Sequence, residues 1–265
     1  MITSLISMKG GTAKTTTAVN LAAYLALSGL KVLLVDLDPH SYATVCFSVN
    51  DHFSGASMAD VLLDDCSVTE ATHATNVSGL HLAPADRRLA SSDVLLADTT
   101  GRERLLKEKL EAVRSRYDHI LIDNPPSLNL LTINSLVASD NYVITVSPSF
   151  LSVVGLDALQ ETVDVVRTNM GARVELLGIL PTMVDSRLKV TMEVLDSIRQ
   201  RFGDTVFKTS IRQNVRLMEA PSRGKTIFEY DSGSVGALCY VQFGREFLAR
   251  CQRAIKPVVR LAAHG

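Results

Sequence analysis

No charge of either sign dominates this sequence. Its 27 Lys and Arg face 28 Asp and Glu, a formal net charge of -1. That excludes a wholesale basic protein, so any contact with nucleic acid has to come from a local patch. Cysteine is scarce and scattered: Cys46, Cys66, Cys239 and Cys251 form no C-x-x-C pair. They read as structural or incidental thiols in a reducing cytosol. No apolar run approaches the roughly 20 residues that span a bilayer. The first residues lack the basic segment and cleavage site of a secretory leader. Low-complexity segments, internal repeats and linkers are missing as well.

What remains is 265 residues, 46% of them hydrophobic, enough for one large core. We read a single domain over residues 1–265, with no helix-turn-helix domain ahead of it. Ile2–Met8 is a short apolar run stopped by Gly10 and Gly11, as a buried parallel strand would be. Thr15–Ser28 carries Ala18, Leu21, Ala22 and Leu25 at helical spacing, and Gly29 ends it. Lys31–Leu37 is a second buried strand. Strand, glycine turn, helix and strand make a βαβ unit with a right-handed crossover.

The alternation continues through strands at LHLAPA, HILIDNPP, NYVITVSP and VELLGILPTM. Helices are expected at Arg102–Arg116, LDALQETVDVVRTN, Thr191–Phe202 and Ser234–Ala254. Residues 50–78 and 84–101 stay undecided. The fold class is α/β, a mostly parallel twisted sheet with helices on both faces.

The stretch SMKGGTAKTTTA, Ser7 to Ala18, departs from the phosphate-loop pattern G-x-x-x-x-G-K-[ST]. Met8 and Ala13 stand where glycines would. The chemistry is still there. A loop entering a helix N-terminus offers free N–H groups and the positive end of the dipole. Gly10 and Gly11 let the backbone wrap a phosphate. Lys14 can reach the outer phosphates, and Thr15 offers a hydroxyl to Mg²⁺. If Ala13 needs a positive φ, it costs about 1–2 kcal/mol relative to glycine. In VDLDP, a spacing of two puts Asp36 and Asp38 on one face of the strand, toward the crevice. In ILIDNPPS, Asp123 ends a buried strand and can hold Mg²⁺ through water. Pro125 and Pro126 stiffen the loop that follows.

KGGTAKTTTAVNLAAYLA followed by VLLVDLDP resembles the deviant Walker A ATPases. That family includes the ParA/Soj partition proteins, MinD and the nitrogenase iron protein. Its pattern is K-G-G-x-G-K-[ST]-[ST]. The resemblance implies that ATP and Mg²⁺ are the cofactors. Lys9 matches the signature lysine that crosses to a partner subunit's phosphates in an ATP-sandwiched homodimer. Nucleotide contacts fall on Lys9, Gly10, Gly11, Thr12, Ala13, Lys14, Thr15 and Thr16. By resemblance Asp38 positions the attacking water, joining Lys9 and Lys14 as catalytic residues. Asp36 is structural or Mg²⁺-linked. His40 stands where Gln is frequent and receives no role. Asn124 stands where a small residue is frequent.

Ile211–Lys225 is similar to the ParA/Soj segment I-P-R-N-V-R-L-x-E-A-P-S-x-G-K, with Arg212-Gln213 in place of Pro-Arg. This segment, with PTMVDSR, implies base-side contacts at Met183, Gln213 and Asn214. Arg187 and Arg216 match arginines that bind duplex DNA without sequence preference, and Lys189, Arg199, Arg201, Lys208 and Arg223 are candidates to extend the patch. The function implied is a cytoplasmic, nucleoid-associated DNA-segregation ATPase whose slow hydrolysis a ParB-like protein stimulates. Three alternatives stay open. One is a MinD-like membrane-surface ATPase, for which the tail CQRAIKPVVRLAAHG is a poor anchor, interrupted by Pro257. Another is a ParA-like positioner of a different cargo on the nucleoid. The third, a redox enzyme like the iron protein, lacks cluster cysteines.

Overall fold

The computed structural model describes residues 1–47, 55–149 and 152–259. In chain order the elements begin with β1 (Ile2–Ile6), α1 (Lys14–Leu27), β2 (Val32–Asp36), α2 (Tyr42–Val45), α3 (Met58–Leu63), β3 (His73–Ala74) and β4 (Leu80–Ala83). Next come α4 (Ser92–Leu95), α5 (Leu105–Arg114), β5 (His119–Asp123), α6 (Leu130–Ala138), β6 (Asn141–Val146) and α7 (Ser152–Met170). Last are β7 (Glu175–Pro181), α8 (Lys189–Phe202), α9 (Val215–Glu219), α10 (Ile227–Tyr230) and α11 (Val235–Val259).

The strands form one sheet in the order β3-β4-β2-β5-β1-β6-β7. All pairs are parallel except β3 with β4. β1, β2, β5 and β6 are buried along their whole length. That is why they read as unbroken apolar runs: helices cover both faces of the sheet. On one face α1 and α11 pack over Leu5, Leu34 and Leu121. On the other, α3, α5 and α6 pack over Leu33, Val35, Ile120 and Ile122. α1 and α11 lie so close that a Cβ on Gly244 would sit 2.0 Å from Tyr24 Cδ1.

Several boundaries move. β1 stops at Ile6, because Ser7 and Met8 already belong to the loop. Arg102–Arg104 is a separate 3₁₀ turn ahead of α5. α11 runs through Pro257, where an interruption was expected. α6, the crossover from β5 to β6, has no counterpart among the expected helices. Its sequence LLTINSLVA is apolar around most of its circumference and buried, so it shows no clear two-faced pattern. The undecided stretches hold α3, the two-residue β3 and short turns, and residues 48–54 lie outside the described residues. Among the described residues, no helix is long and apolar enough to cross a membrane. The tail for which an anchor was weighed, Cys251–Gly265, begins within α11, and its residues beyond Val259 lie outside the described residues.

Candidate nucleotide site

The loop from Ser7 to Ala13 joins the central strand β1 to the start of α1. Gly11 has φ 77°. A Cβ on Gly10 or Gly11 would meet nothing within 4 Å, so open space lies against the loop backbone. Ala13 has φ 54° and ψ 29°, the left-handed region. Its expected conformational cost is therefore incurred. The loop is anchored from below: Thr12 Oγ1 meets Thr145 Oγ1 at 3.1 Å, and Thr182 Oγ1 donates to the Thr12 carbonyl at 2.8 Å. No side chain caps α1 and no acidic residue sits in its first turn, which leaves donors at the N-terminus of a 14-residue helix. Lys9 is exposed and forms no ion pair among the described residues. Thr15 and Thr16 are half-buried.

Lys14 turns inward. Its Nζ lies 2.7 Å from Asp123 Oδ1, and both side chains are buried. The Thr15 hydroxyl lies near enough to Asp123 to favour its charged form, as Lys14 does. The other carboxylate oxygen, Oδ2, is buried with no partner. Burial pushes the Asp123 pKa up against the opposing pull of Lys14. Asp36 is its direct neighbour across the β2–β5 ladder. Burial first, and the Asp123 charge second, raise Asp36 to about 7.

Asp36 and Asp38 do not share a strand face. β2 ends at Asp36, and the chain turns there because Asp36 Oδ1 accepts the Asp38 N–H at 3.0 Å. Asp36 Oδ2 accepts the Thr44 N–H at 2.9 Å and its hydroxyl at 2.8 Å. Both oxygens are committed to holding the loop, which favours the structural role over a metal one. Asp38 is buried in that loop and acts on Asp123 electrostatically. Asn124 donates Nδ2 to the Leu5 carbonyl at 2.9 Å, tying β5 to β1 where both strands end. The loop backbone, the open helix N-terminus, buried Lys14, the Thr15 hydroxyl and the orphaned Asp123 oxygen fit a polyphosphate with a divalent cation.

The base-side residues come together beside it. An isolated bridge pairs Val184 with Arg212, and the Gln213 N–H donates to the Val184 carbonyl at 3.1 Å. This places Met183, with φ 55°, next to Gln213 and Asn214. Asn214 caps α9 through its Oδ1, 2.9 Å from the Arg216 N–H, and its amide NH₂ makes no hydrogen bond among the described residues. Arg187 and Arg216 are carried by the same two segments. Each has an acidic partner: Asp185 at 2.7 Å for Arg187, and Glu219 at 2.9 Å for Arg216. The Arg187 pair holds Asp185 down to about 2. Lys189, Arg199 and Arg201 pair with Glu193, Asp196 and Asp157. Lys208, Arg223 and Arg212 make no ion pair among the described residues. Arg212, at the bridge itself, was passed over in the sequence because it entered only as a departure from a proline. A cleft of about 1180 Å³ beside Met1, Asp140 and Arg250 opens at the opposite ends of the strands, away from this site.

Residues 1–176 match the family model described as an AAA domain. The chain is 43% identical to the sporulation initiation inhibitor protein Soj of Bacillus subtilis, over 94% of this chain and 98% of the relative. It is 36% identical to the chromosome partitioning protein ParA of Caulobacter vibrioides, over 94% of each chain. Among solved structures, cobyrinic acid a,c-diamide synthase of Mycobacterium smegmatis, with a bound ATP analogue and magnesium, superposes with a TM-score of 0.84. It is 30% identical and each chain is 96% covered. A nucleotide loop of this form, set at the carboxyl edge of this sheet and joined to such relatives, makes the chain a member of the ParA/Soj family of partition ATPases.

Proposed function

We propose that this protein is a ParA-like DNA-segregation ATPase that works with ATP and Mg²⁺. The observation that carries the reading is the buried Lys14–Asp123 pair under the Gly10–Gly11 turn, with Asp38 in the adjoining loop. Gly10 to Thr16 cradle the phosphates, and Lys14 exchanges its carboxylate partner for them. Thr15 and Asp123 would hold the Mg²⁺, whose charge would offset that of the phosphates. Asp36 braces the Asp38 loop. Asp38 orients the attacking water. Met183, Gln213 and Asn214 line the base side.

Exposed Lys9 reaches the phosphates bound by a second copy, so charge compensation depends on an ATP-dependent homodimer. A two-fold dimer doubles Arg187 and Arg216 along one duplex, which supports non-specific DNA binding from a chain of net charge near zero. DNA binding by the dimer holds the protein on the nucleoid in the cytoplasm, and a ParB-like partner stimulates hydrolysis and releases it. The decisive experiment is binding to random-sequence duplex DNA with ATP, with ADP and without nucleotide, across a salt series. Binding with ATP alone, weakened by salt and by Arg216→Ala, is the expected result. Intact ATP binding with no DNA binding in any state would remove the DNA-carrier mechanism and bring the membrane and protein-only readings forward.

A further inference from the structure

Asp38 is held by a residue that the family pattern leaves without a role. Its Oδ1 accepts two hydrogen bonds from His40, one from the backbone N–H at 3.0 Å and one from the ring Nδ1–H at 2.8 Å. The first is an ordinary Asx turn. The second is an addition that only certain side chains can make. No hydrogen bond from a described residue reaches Oδ2. The ring is steadied on its other side by Tyr42, with centroids 5.7 Å apart and planes 8° from parallel. Between the two rings Ser41 takes φ 57°, a left-handed conformation that costs a non-glycine residue energy. It is held there by its N–H to the Asp38 carbonyl at 2.8 Å and its hydroxyl to the Ala85 carbonyl at 3.1 Å. The His40 side chain itself is 64% exposed. The fold therefore fixes the direction of the ring without relying on the ring for its core.

We propose that His40 is a positioning residue for ATP hydrolysis. By donating to Asp38 Oδ1, it fixes the rotation of that carboxylate and leaves Oδ2 as the oxygen that accepts a hydrogen bond from the attacking water. The proposal rests on the ATPase reading above. A carboxylate free to rotate would still receive water but would hold it in the reactive direction for less of the time. The effect belongs in the rate of the chemical step and not in nucleotide affinity.

The test is single-turnover ATP hydrolysis, with enzyme in excess, by the wild type, His40→Ala and His40→Asn. Binding of a non-hydrolysable ATP analogue is measured alongside. The amide nitrogen of Asn branches from the same carbon position as the Nδ1 of His, so His40→Asn restores the donor without the ring. Expected are a rate about tenfold lower in His40→Ala, as the loss of one charge-assisted hydrogen bond implies, analogue affinity within about twofold, and recovery of most of the rate in His40→Asn. An unchanged rate in His40→Ala, equal losses of rate and affinity, or no recovery in His40→Asn would each overturn it. Nitrogen NMR of the labelled wild type supplies a readout that needs no hydrolysis. It should show His40 protonated at Nδ1 and bare at Nε2, a preference lost in Asp38→Ala; an even tautomer mixture would also overturn the proposal. A wild type that hydrolyses no ATP would count against the ATPase reading, and the NMR result would still decide the His40–Asp38 bond.

Discussion

Lys14 and Asp123 are each other's counter-ion inside the protein, Nζ to Oδ1 at 2.7 Å, with side chains 6% and 0% exposed. Removing one partner strands the other in a dry site. Lys14→Ala should therefore cost about 3–5 kcal/mol of stability in denaturation without added nucleotide. Replacing both, as Lys14→Met with Asp123→Leu, should restore most of that loss while nucleotide binding stays abolished. A single Lys14→Ala variant as stable as the wild type would show that the pair is open to water in solution.

Ala13 occupies a conformation that suits glycine, with φ 54°. Ala13→Gly relieves about 1–2 kcal/mol of backbone strain but adds freedom to the unfolded chain worth about 0.4–1 kcal/mol. The net expectation is a gain of about 0.5–1 kcal/mol in denaturation. An ATP titration of the same variant tells whether the Ala13 methyl also crowds the phosphates. Loss of stability in Ala13→Gly would mean that the methyl makes packing contacts that outweigh the strain.

Two buried groups make opposite demands on pH. Asp36 is raised to about 7 by burial and by Asp123. Its folded value exceeds the ordinary carboxylate value of about 3.9, so its contribution is present in acid and is lost as pH rises through 7. His119 is lowered to about 4 by burial and then by the Met1 ammonium. Its unfolded form binds the proton more tightly, so stability is lost as pH falls from about 6.5 toward 4. Between these limits the two slopes oppose one another. Asp36→Asn should expose stability that rises with pH from about 4 to 6.5, and His119→Gln stability that falls with pH up to about 7. Urea denaturation midpoints across this range check both signs; parallel profiles for the two variants would contradict the assignment.

Where α1 meets α11, Gly244 leaves room for the Tyr24 ring. Gly244→Ala should force that ring or the helix aside and lower stability by about 1–3 kcal/mol, although alanine is the better helix former. Gly244→Ala combined with Tyr24→Ala should recover part of the loss. A stabilised single variant would show that the two helices can separate without penalty.

Long apolar strands and the two-lysine loop were legible because their physics is local. Four uninterrupted runs could only be strands covered on both sides, and the glycine pair between strand and helix marked the site. α6 was hidden because burial all round erased its periodicity. The same-face reading of Asp36 and Asp38 assumed that the strand continues, whereas Asp36 itself ends it by capturing the Asp38 N–H. The His40–Asp38 bond had a signal, an Asp-Pro-His run, but its meaning depended on the left-handed turn at Ser41. No sequence rule assigns that turn to serine. The nearest acidic partners of Arg187 and Arg216, Asp185 and Glu219, lie two and three residues away and were legible in the sequence, whereas Asp231, a second partner of Arg216, is distant in the chain.

At one border of the sheet lies β3, two residues long and antiparallel to its neighbour. At the other, β7 carries a single bridge, from Val206 to Ile179, and a second bridge, from Arg212 to Val184, follows just past its end. Among the described residues, neither border offers a long straight row of free backbone groups, so a second molecule finds little there to extend by strand addition. The proposed homodimer would accordingly form through the loop crest or the helical faces. The crest carries the phosphate turn, so in the ATP-dependent homodimer proposed above, meeting another copy and sensing what the turn holds would be a single event.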